Sequence, residues 1–237
     1  MTKIEKLQKL IDESDNIVFF GGAGVSTGSG IKDFRGKNGL YKEKHKYPPE
    51  YYLSSDCFYN DTEEFFKYYK TQMNCLSAKP NVIHKYLKKL EDSGKLRGII
   101  TQNIDGLHQK AGSTKVYEIH GTVYKNHCTK CHKSYDAEYV YGCKGVPKCK
   151  CGGIIKPDVV LYGESLTDDF IKGLDLISKA SLLIVAGSSL TVEPASSMIR
   201  YFNGKDIVII NYDKTSYDSM ASLVINDDIT KVFEQLK

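Results

Sequence analysis

The stretch FFGGAGVSTGSGIKDFRG, from Phe19 to Gly36, decides the fold of this chain. It begins as an apolar strand and passes at once into glycine and small polar residues, an arrangement that brings backbone N–H groups to a phosphate. The dinucleotide fingerprint G-x-G-x-x-G is incomplete, because Thr27 takes the place of the third glycine if Gly22 and Gly24 are the first two. The loop therefore indicates a nucleotide site and leaves open whether it serves hydride transfer or other chemistry.

Short apolar strands alternate with helices of about ten residues along most of the chain, the pattern of a parallel sheet covered on both faces. Strands are predicted at 16–20, 98–102, 116–119, 182–186 and 207–211. The fold class is therefore α/β, with a Rossmann-like domain predicted for residues 1–36, 80–121 and 155–237. The segments 37–79 and 122–154 break the alternation and predict a small domain, made of a helical module and a zinc ribbon. We expect residues 37–60 to be irregular and Thr62 to cap a helix.

The composition is that of a globular protein, with 41% hydrophobic and 26% charged residues among 237. The net charge of +4 comes without a long basic run, which argues against a dedicated nucleic-acid binder. The N-terminus lacks the pattern of a secretory signal, and no apolar run approaches the roughly 20 residues that a membrane span requires. These features predict a cytoplasmic protein without membrane or nucleic-acid partners.

Five of the seven cysteines fall within the segment CTKCHKSYDAEYVYGCKGVPKCKC. Two close pairs suit one tetrahedral zinc ion, and the predicted ligands are Cys128, Cys131, Cys149 and Cys151. Cys143 is an alternative to Cys149, because the C-x-C spacing of the second pair is unusually tight. Two other interpretations are a redox role for unligated thiols and a c-type haem at C-x-x-C-H, which needs export. A site with four sulfur ligands has no open position, so we expect the zinc to be structural.

Seven features occur in the order seen in the sirtuins, the NAD-dependent protein deacylases, and this chain resembles that family from about residue 5 to its end. They are GAGVSTGSGIKDFRG (22–36), TQNIDGLH (101–108), EIHG (118–121), the paired cysteines, KPDVVLYGE (156–164), GSSLTVEPA (187–195) and IIN (209–211). The resemblance implies that the first loop holds NAD for cleavage of its glycosidic bond. A dehydrogenase would need an intact fingerprint and an acid on a second strand about twenty residues later, where this chain has Lys42, Glu43 and Lys44.

The resemblance also implies the roles of individual residues. His120 would be the general base, Asn103 and Asp105 would hold the nicotinamide, and Phe34 would shield the reaction from water. The predicted cofactor-binding residues are Gly22, Ala23, Gly24, Thr27, Asp33, Phe34, Arg35, Gln102, Asn103, Asp105, Gly187, Ser188, Ser189 and Asn211. Lys32 stands where the family usually has proline, and Gly21 where threonine is common.

The substrate implied by the resemblance is an acylated lysine of another protein. Its backbone would dock as an added strand on Val159, Val160, Leu161 and Tyr162. Members that prefer succinyl or malonyl groups carry Tyr and Arg where this chain has Phe66 and Tyr69, so we expect neutral acyl groups and acetyl by default. The products would be free lysine, nicotinamide and O-acetyl-ADP-ribose. Protein ADP-ribosylation and a non-catalytic NAD sensor are the alternatives.

Overall fold

The computed structural model describes residues 1–36 and 39–237 of the chain, so Lys37 and Asn38, the first residues of the predicted irregular segment, lie outside the described residues. The strands in the described part are β1 Ile17–Gly21, β2 Leu96–Thr101, β3 Val116–Glu118, β4 Gly121–Cys128, β5 Ser134–Tyr135, β6 Ile155–Val159, β7 Leu182–Ala186, β8 Asp206–Ile210 and β9 Leu223–Ile225. The α-helices are α1 Lys3–Glu13, α2 Pro49–Tyr52, α3 Ser55–Asn60, α4 Thr62–Gln72, α5 Val82–Asp92, α6 Leu107–Lys110, α7 Ala137–Gly142, α8 Asp169–Lys179 and α9 Ile229–Glu234. Short 3₁₀ helices span Ala23–Ser29, Leu40–Lys42, Ser196–Tyr201 and Asp218–Met220.

Six strands form one parallel sheet in the order β3-β2-β1-β7-β8-β9. Every residue of β1 and of β7 is buried, which is why these strands read as continuous apolar runs instead of alternating ones. The predicted α/β class with a parallel sheet is confirmed.

Helices cover both faces of this sheet. Successive side chains of a strand point to opposite faces, so neighbouring residues of one strand pack against different helices. On β1, Phe19 packs in one hydrophobic cluster with residues of α1, α5 and α9. Phe20 packs in another, with residues of α8 and of the short helix 196–201. Within residues 1–36 and 39–237, no helix has both the length and the apolar character to cross a membrane.

The strand order reverses beside β1, whose neighbours are β2 on one side and β7 on the other. Ligands of open parallel sheets bind at such a switch point, outside the carboxyl ends of the strands. Here the loops after β1, β2 and β7 meet, and these loops carry most of the residues predicted to bind the cofactor.

A second sheet has three antiparallel strands in the order β5-β4-β6. It shares a hydrophobic cluster with α2, α3 and α4, in which Phe58, Phe65 and Tyr69 are fully buried. Strand β6 pairs with β4 in this smaller sheet, although residues 155–159 were assigned above to the larger domain. The pairing partner of a strand is set by tertiary contacts that its own sequence does not reveal, and the domain boundaries stay a prediction.

Two local expectations are wrong, the first of them in part. Residues 43–48 are irregular as expected, whereas 49–60 are mostly helical: Pro49 begins α2, and Ser54 accepts a hydrogen bond from the Cys57 N–H and starts α3. Thr62 is the first residue of α4 and its hydroxyl donates to the Phe58 carbonyl at 2.8 Å, so it does not cap that helix; Asp61 occupies the cap position.

Candidate functional site

A cavity of about 530 Å³ lies at the carboxyl ends of β1, β2 and β7, a volume in the usual range for small-molecule sites. It brings together predicted residues from seven separate stretches of the chain. The predicted residues that line it are Ala23, Gly24, Thr27, Asp33, Phe34, Arg35, Tyr69, Gln102, Asn103, Asp105, His120, Val159, Val160, Leu161, Tyr162, Gly187, Ser188, Ser189 and Asn211. Gly22 and Phe66 are the two predicted site residues outside this lining.

The glycines of the first loop are required by its packing against the loop after β7. The Gly24 N–H donates to the Gly187 carbonyl at 2.8 Å. A Cβ atom on Gly24 would lie 2.7 Å from the Gly187 Cα, and one on Gly22 would lie 2.6 Å from the Gly187 carbonyl oxygen. Gly187 itself has a φ of 65°, a conformation that favours glycine. The two loops therefore meet backbone to backbone, and residues of both line the cavity.

A buried chain of hydrogen bonds joins Asn103, Ser26 and Asp105. The Asn103 Nδ2 donates to Ser26 Oγ at 3.0 Å and to the Gly22 carbonyl at 3.1 Å, and Ser26 Oγ donates to Asp105 Oδ2 at 2.6 Å. Burial raises the pKa of Asp105, while hydrogen bonds from Ser26 and from the Leu107 N–H favour its charged form. Ser26 was missed in the sequence, where its only signal is its place in the glycine-rich loop.

His120 follows β3 and lines the same cavity. Its Nδ1 lies 3.0 Å from the Gln102 carbonyl oxygen. Because a carbonyl only accepts, Nδ1 carries the proton and Nε2 keeps its lone pair. Burial lowers the pKa of His120, and the hydrogen bond to Gln102 partly offsets this. At neutral pH the imidazole is therefore neutral and able to accept a proton at Nε2.

The segment after the first loop folds over the cavity through Phe34 and Arg35. The Phe34 carbonyl accepts from the Tyr41 N–H at 2.9 Å, and the two rings meet edge to face with centroids 6.3 Å apart. The Arg35 guanidinium lies 4.6 Å above the Tyr41 ring, within the range of a cation–π contact. Tyr41 thus fixes both predicted cofactor residues at the mouth of the cavity.

Of the two residues predicted for the acyl pocket, Phe66 and Tyr69, Tyr69 alone lines the cavity. Tyr69 is fully buried and stacks on Tyr141, with ring centroids 5.4 Å apart. Phe66 packs behind it, 6.4 Å away, in the hydrophobic cluster of the second sheet. Met73 and Ile104, which were not predicted, complete the apolar lining.

The predicted docking edge runs along the cavity after β6. The Val160 N–H donates to the His120 carbonyl at 2.9 Å, so the edge is tied directly to the predicted base. Tyr162 is already bridged to another segment, since its N–H donates to Leu53 and its carbonyl accepts from Ser55. A docked strand must therefore pair with groups other than those of Tyr162.

The four predicted zinc ligands converge, with all Sγ atoms within 4.8 Å of one another. The Sγ atoms of Cys128 and Cys151 are 3.4 Å apart, and those of Cys131 and Cys149 are 3.6 Å apart. A tetrahedral ion with Zn–S distances of about 2.3 Å sets the sulfurs about 3.8 Å apart, so the cluster fits a structural zinc. Cys143 is not a member; its Sγ accepts from Lys70 Nζ at 3.1 Å.

Comparison with known proteins assigns the family. The model of the Sir2 family matches residues 22–194. The chain belongs to the Sir2 family. This sirtuin is 54% identical to a protein of Clostridium acetobutylicum named NAD-dependent protein deacetylase, over 99% of this chain and 98% of the relative. A protein of Clostridium perfringens with the same name is 55% identical, over 97% and 96% of the two chains.

Solved structures agree with this assignment. A Sir2 variant, with a histidine replaced by alanine and holding a deacetylated p53 peptide and 3'-O-acetyl ADP-ribose, matches with a TM-score of 0.90 and 41% identity, over 98% of this chain and 96% of that one. A Sir2 complex with a p53 peptide and NAD⁺ matches with a TM-score of 0.87 and 39% identity, over 99% and 97%. The sirtuin is an enzyme, an NAD-dependent protein deacetylase.

Proposed function

We propose that this sirtuin transfers the acetyl group of protein acetyl-lysine to the ADP-ribose part of NAD and consumes one water molecule, leaving free lysine, nicotinamide and O-acetyl-ADP-ribose. The observation that carries the proposal is the fixed tautomer of His120, which leaves Nε2 able to accept a proton in the cavity that Asn103 and Asp105 also line. The acetylated ADP-ribose and the deacetylated peptide held by one structural neighbour support the same products.

In this proposal each polar group has one task. Bound NAD would supply an electrophilic C1' carbon for the acyl oxygen, with nicotinamide as the leaving group. The Asn103 and Asp105 side chains hold the carboxamide of nicotinamide, which offers both a donor and an acceptor. His120 Nε2 then takes a proton from a ribose hydroxyl, and Phe34 keeps water from the reacting carbon. The Nδ1–H bond to Gln102 keeps the imidazole oriented throughout.

The substrate protein docks along Val159–Leu161 as an added strand. The Val160 N–H donates a hydrogen bond to the His120 carbonyl, whereas the Val160 carbonyl accepts no hydrogen bond from the described residues. We assign that carbonyl to the amide N–H of the acyl-lysine. A main-chain contact of this kind places the acyl group beside the predicted base and makes few demands on the substrate sequence.

Neutral acyl groups are the preferred substrates, because the buried Tyr69 stands where family members that prefer succinyl or malonyl groups carry an arginine; the cations in the described lining, Lys32, Arg35 and Lys214, belong to other segments. Leaving a charge buried without a partner costs about 3 kcal/mol or more, which corresponds to a preference of at least about a hundredfold for acetyl over succinyl.

The test of the reaction is to incubate the protein with an acetyl-lysine peptide, with and without NAD, and to follow the peptide mass and nicotinamide together. We expect equal amounts of deacetylated peptide and nicotinamide, dependent on NAD and lost in His120→Ala. Nicotinamide release with the acetyl group retained would indicate ADP-ribosyl transfer instead. Binding of NAD with neither product would indicate a sensor.

The test of acyl choice compares kcat/KM for acetyl and succinyl peptides in the wild type and in the double variant Phe66→Tyr, Tyr69→Arg. The guanidinium should raise the succinyl rate and lower the acetyl rate. Tyr69→Phe is the matched control, since it retains the stacked ring and should leave the preference unchanged. Equal wild-type rates for the two peptides would contradict the proposed preference.

A further inference from the structure

Asn81 is the N-terminal cap of α5 and does more than cap it. Its Oδ1 accepts from the Ile83 N–H at 2.9 Å, which is the ordinary task of a cap. Its Nδ2 donates to the Val25 carbonyl at 2.8 Å and to Ser29 Oγ at 3.0 Å. Both acceptors belong to the 3₁₀ turn Ala23–Ser29, more than fifty residues earlier in the chain.

The asparagine at position 81 is informative, because the requirement for a helix cap alone would not select it. Serine and aspartate start helices about as well as asparagine. Of the three, only asparagine offers an acceptor to its own helix and two donors to another segment at once. The side chain at position 81 therefore fits a demand made by the turn as well as by the helix.

The turn depends on such outside support. A 3₁₀ helix has poorer hydrogen-bond geometry than an α-helix, and this one begins at Gly22 without a side-chain cap. Ser26 donates a hydrogen bond to Asp105, which lines the cavity, and the Val25 carbonyl accepts one from Asn81, which is not in the described lining. Gly28 leaves room for this contact, because a Cβ atom there would lie 3.2 Å from Asn81 Nδ2.

Asn81 acts at a distance from the ligand. It is absent from the described lining of the cavity, whereas Gly24, Ser26 and Thr27 of the turn belong to that lining. We propose that Asn81 is a positioning residue for NAD: its carboxamide fixes the turn in the conformation that presents these three residues to the dinucleotide. The inference rests on the proposed role of the turn in holding NAD.

The decisive variant is Asn81→Ser, which retains a helix cap and is too short to reach the turn. We expect the KM for NAD and the dissociation constant for NAD to rise about tenfold, the effect of losing one to two hydrogen bonds. We expect kcat, the KM for the peptide and the melting temperature to change little. Asn81→Asp should raise the KM for NAD further, because it keeps the cap and sets a carboxylate against the Val25 carbonyl.

Thr2→Ala is the matched control, because it removes a side-chain cap from α1, a helix that carries no predicted site residue. It should lower the melting temperature and leave the KM for NAD unchanged. The proposal is overturned if Asn81→Ser leaves the affinity for NAD within about twofold of the wild type, or if Thr2→Ala weakens NAD binding equally. Calorimetric titration with NAD reads binding without turnover, so a wild type that binds NAD but releases no product contradicts the proposed reaction and not the role of Asn81.

Discussion

Acid should destabilise this protein through a pair of buried histidines, His84 on α5 and His108 on α6. Their exposed fractions are 0% and 1%, and their ring centroids are 4.7 Å apart. The Nε2 of His84 and both ring nitrogens of His108 lack a hydrogen-bond partner among the described residues. Neither imidazole ring faces a carboxylate, among the described residues, that would stabilise its protonated form. The folded state therefore holds both rings neutral.

The size of the effect follows from the pKa of His84. Burial lowers that pKa to about 4, against about 6.5 in the unfolded chain. Between these values the unfolded state binds the extra proton, so the free energy of unfolding falls as the pH drops below about 6.5 and levels off near 4. At about pH 5 the loss from His84 alone is about 2 kcal/mol. Burial also lowers the pKa of His108, which adds a loss of the same sign.

Urea unfolding of the wild type and of His84→Gln, at neutral pH and at about pH 5, tests this magnitude. The loss of stability on acidification should be about 2 kcal/mol smaller in His84→Gln than in the wild type. Ile83→Val, on the same helix and equally buried, should cost about 1 kcal/mol at both pH values and keep the wild-type pH dependence. Protonation of the zinc ligands is common to all three proteins and cancels in the comparison. Equal acid losses in the three proteins would refute the reasoning.

Three further outcomes are expected. Because burial lowers the pKa of His120, kcat/KM should fall to half its full value only below about pH 6.5; half-loss at a higher pH would contradict the assignment of the base. Gly24→Ala should weaken NAD binding more than about tenfold in a calorimetric titration, since the new methyl group must push the backbone of Gly187 aside. Metal analysis should find one zinc per chain in Cys143→Ser, whereas Cys131→Ser should lose the ion together with several degrees of melting temperature; zinc retained in Cys131→Ser speaks against the four-sulfur site.

Much of the larger sheet could be predicted from the sequence, because the signals that encode it are local. A strand buried on both faces must be apolar throughout, and Leu182–Ala186 satisfies this so well that its bounds agree with the structure. The loop that follows β1 is similarly encoded by Gly22 and Gly24, whose missing side chains are required for the close contact with Gly187. The two cysteine pairs could also be recognised in the sequence, because a single turn of the backbone brings the two thiols of a close pair to one metal ion.

The tertiary structure decided which segments and which side chains pair with one another. Ile155–Val159 is a strand that the sequence did not predict, and its pairing with β4 depends on hydrogen bonds made across the chain. Cys143 and Cys149 are equivalent as residue types, and only their positions in space separate the zinc ligand from the thiol beside Lys70.

The same division holds inside the site. The residues proposed to react or to hold nicotinamide, His120, Asn103 and Asp105, lie in short sequence motifs, because such a group must be of one residue type. The residues that support these groups cannot be recognised in the sequence. A serine or asparagine can donate a hydrogen bond at many positions, and only the folded structure shows which acceptor lies near it. Ser26 reaches Asp105, and Asn81 reaches Val25, across more than fifty residues of chain. The sequence by itself determined the sheet, the glycine-rich loop and the residues proposed for the chemistry, and only the tertiary structure decided what holds them in place.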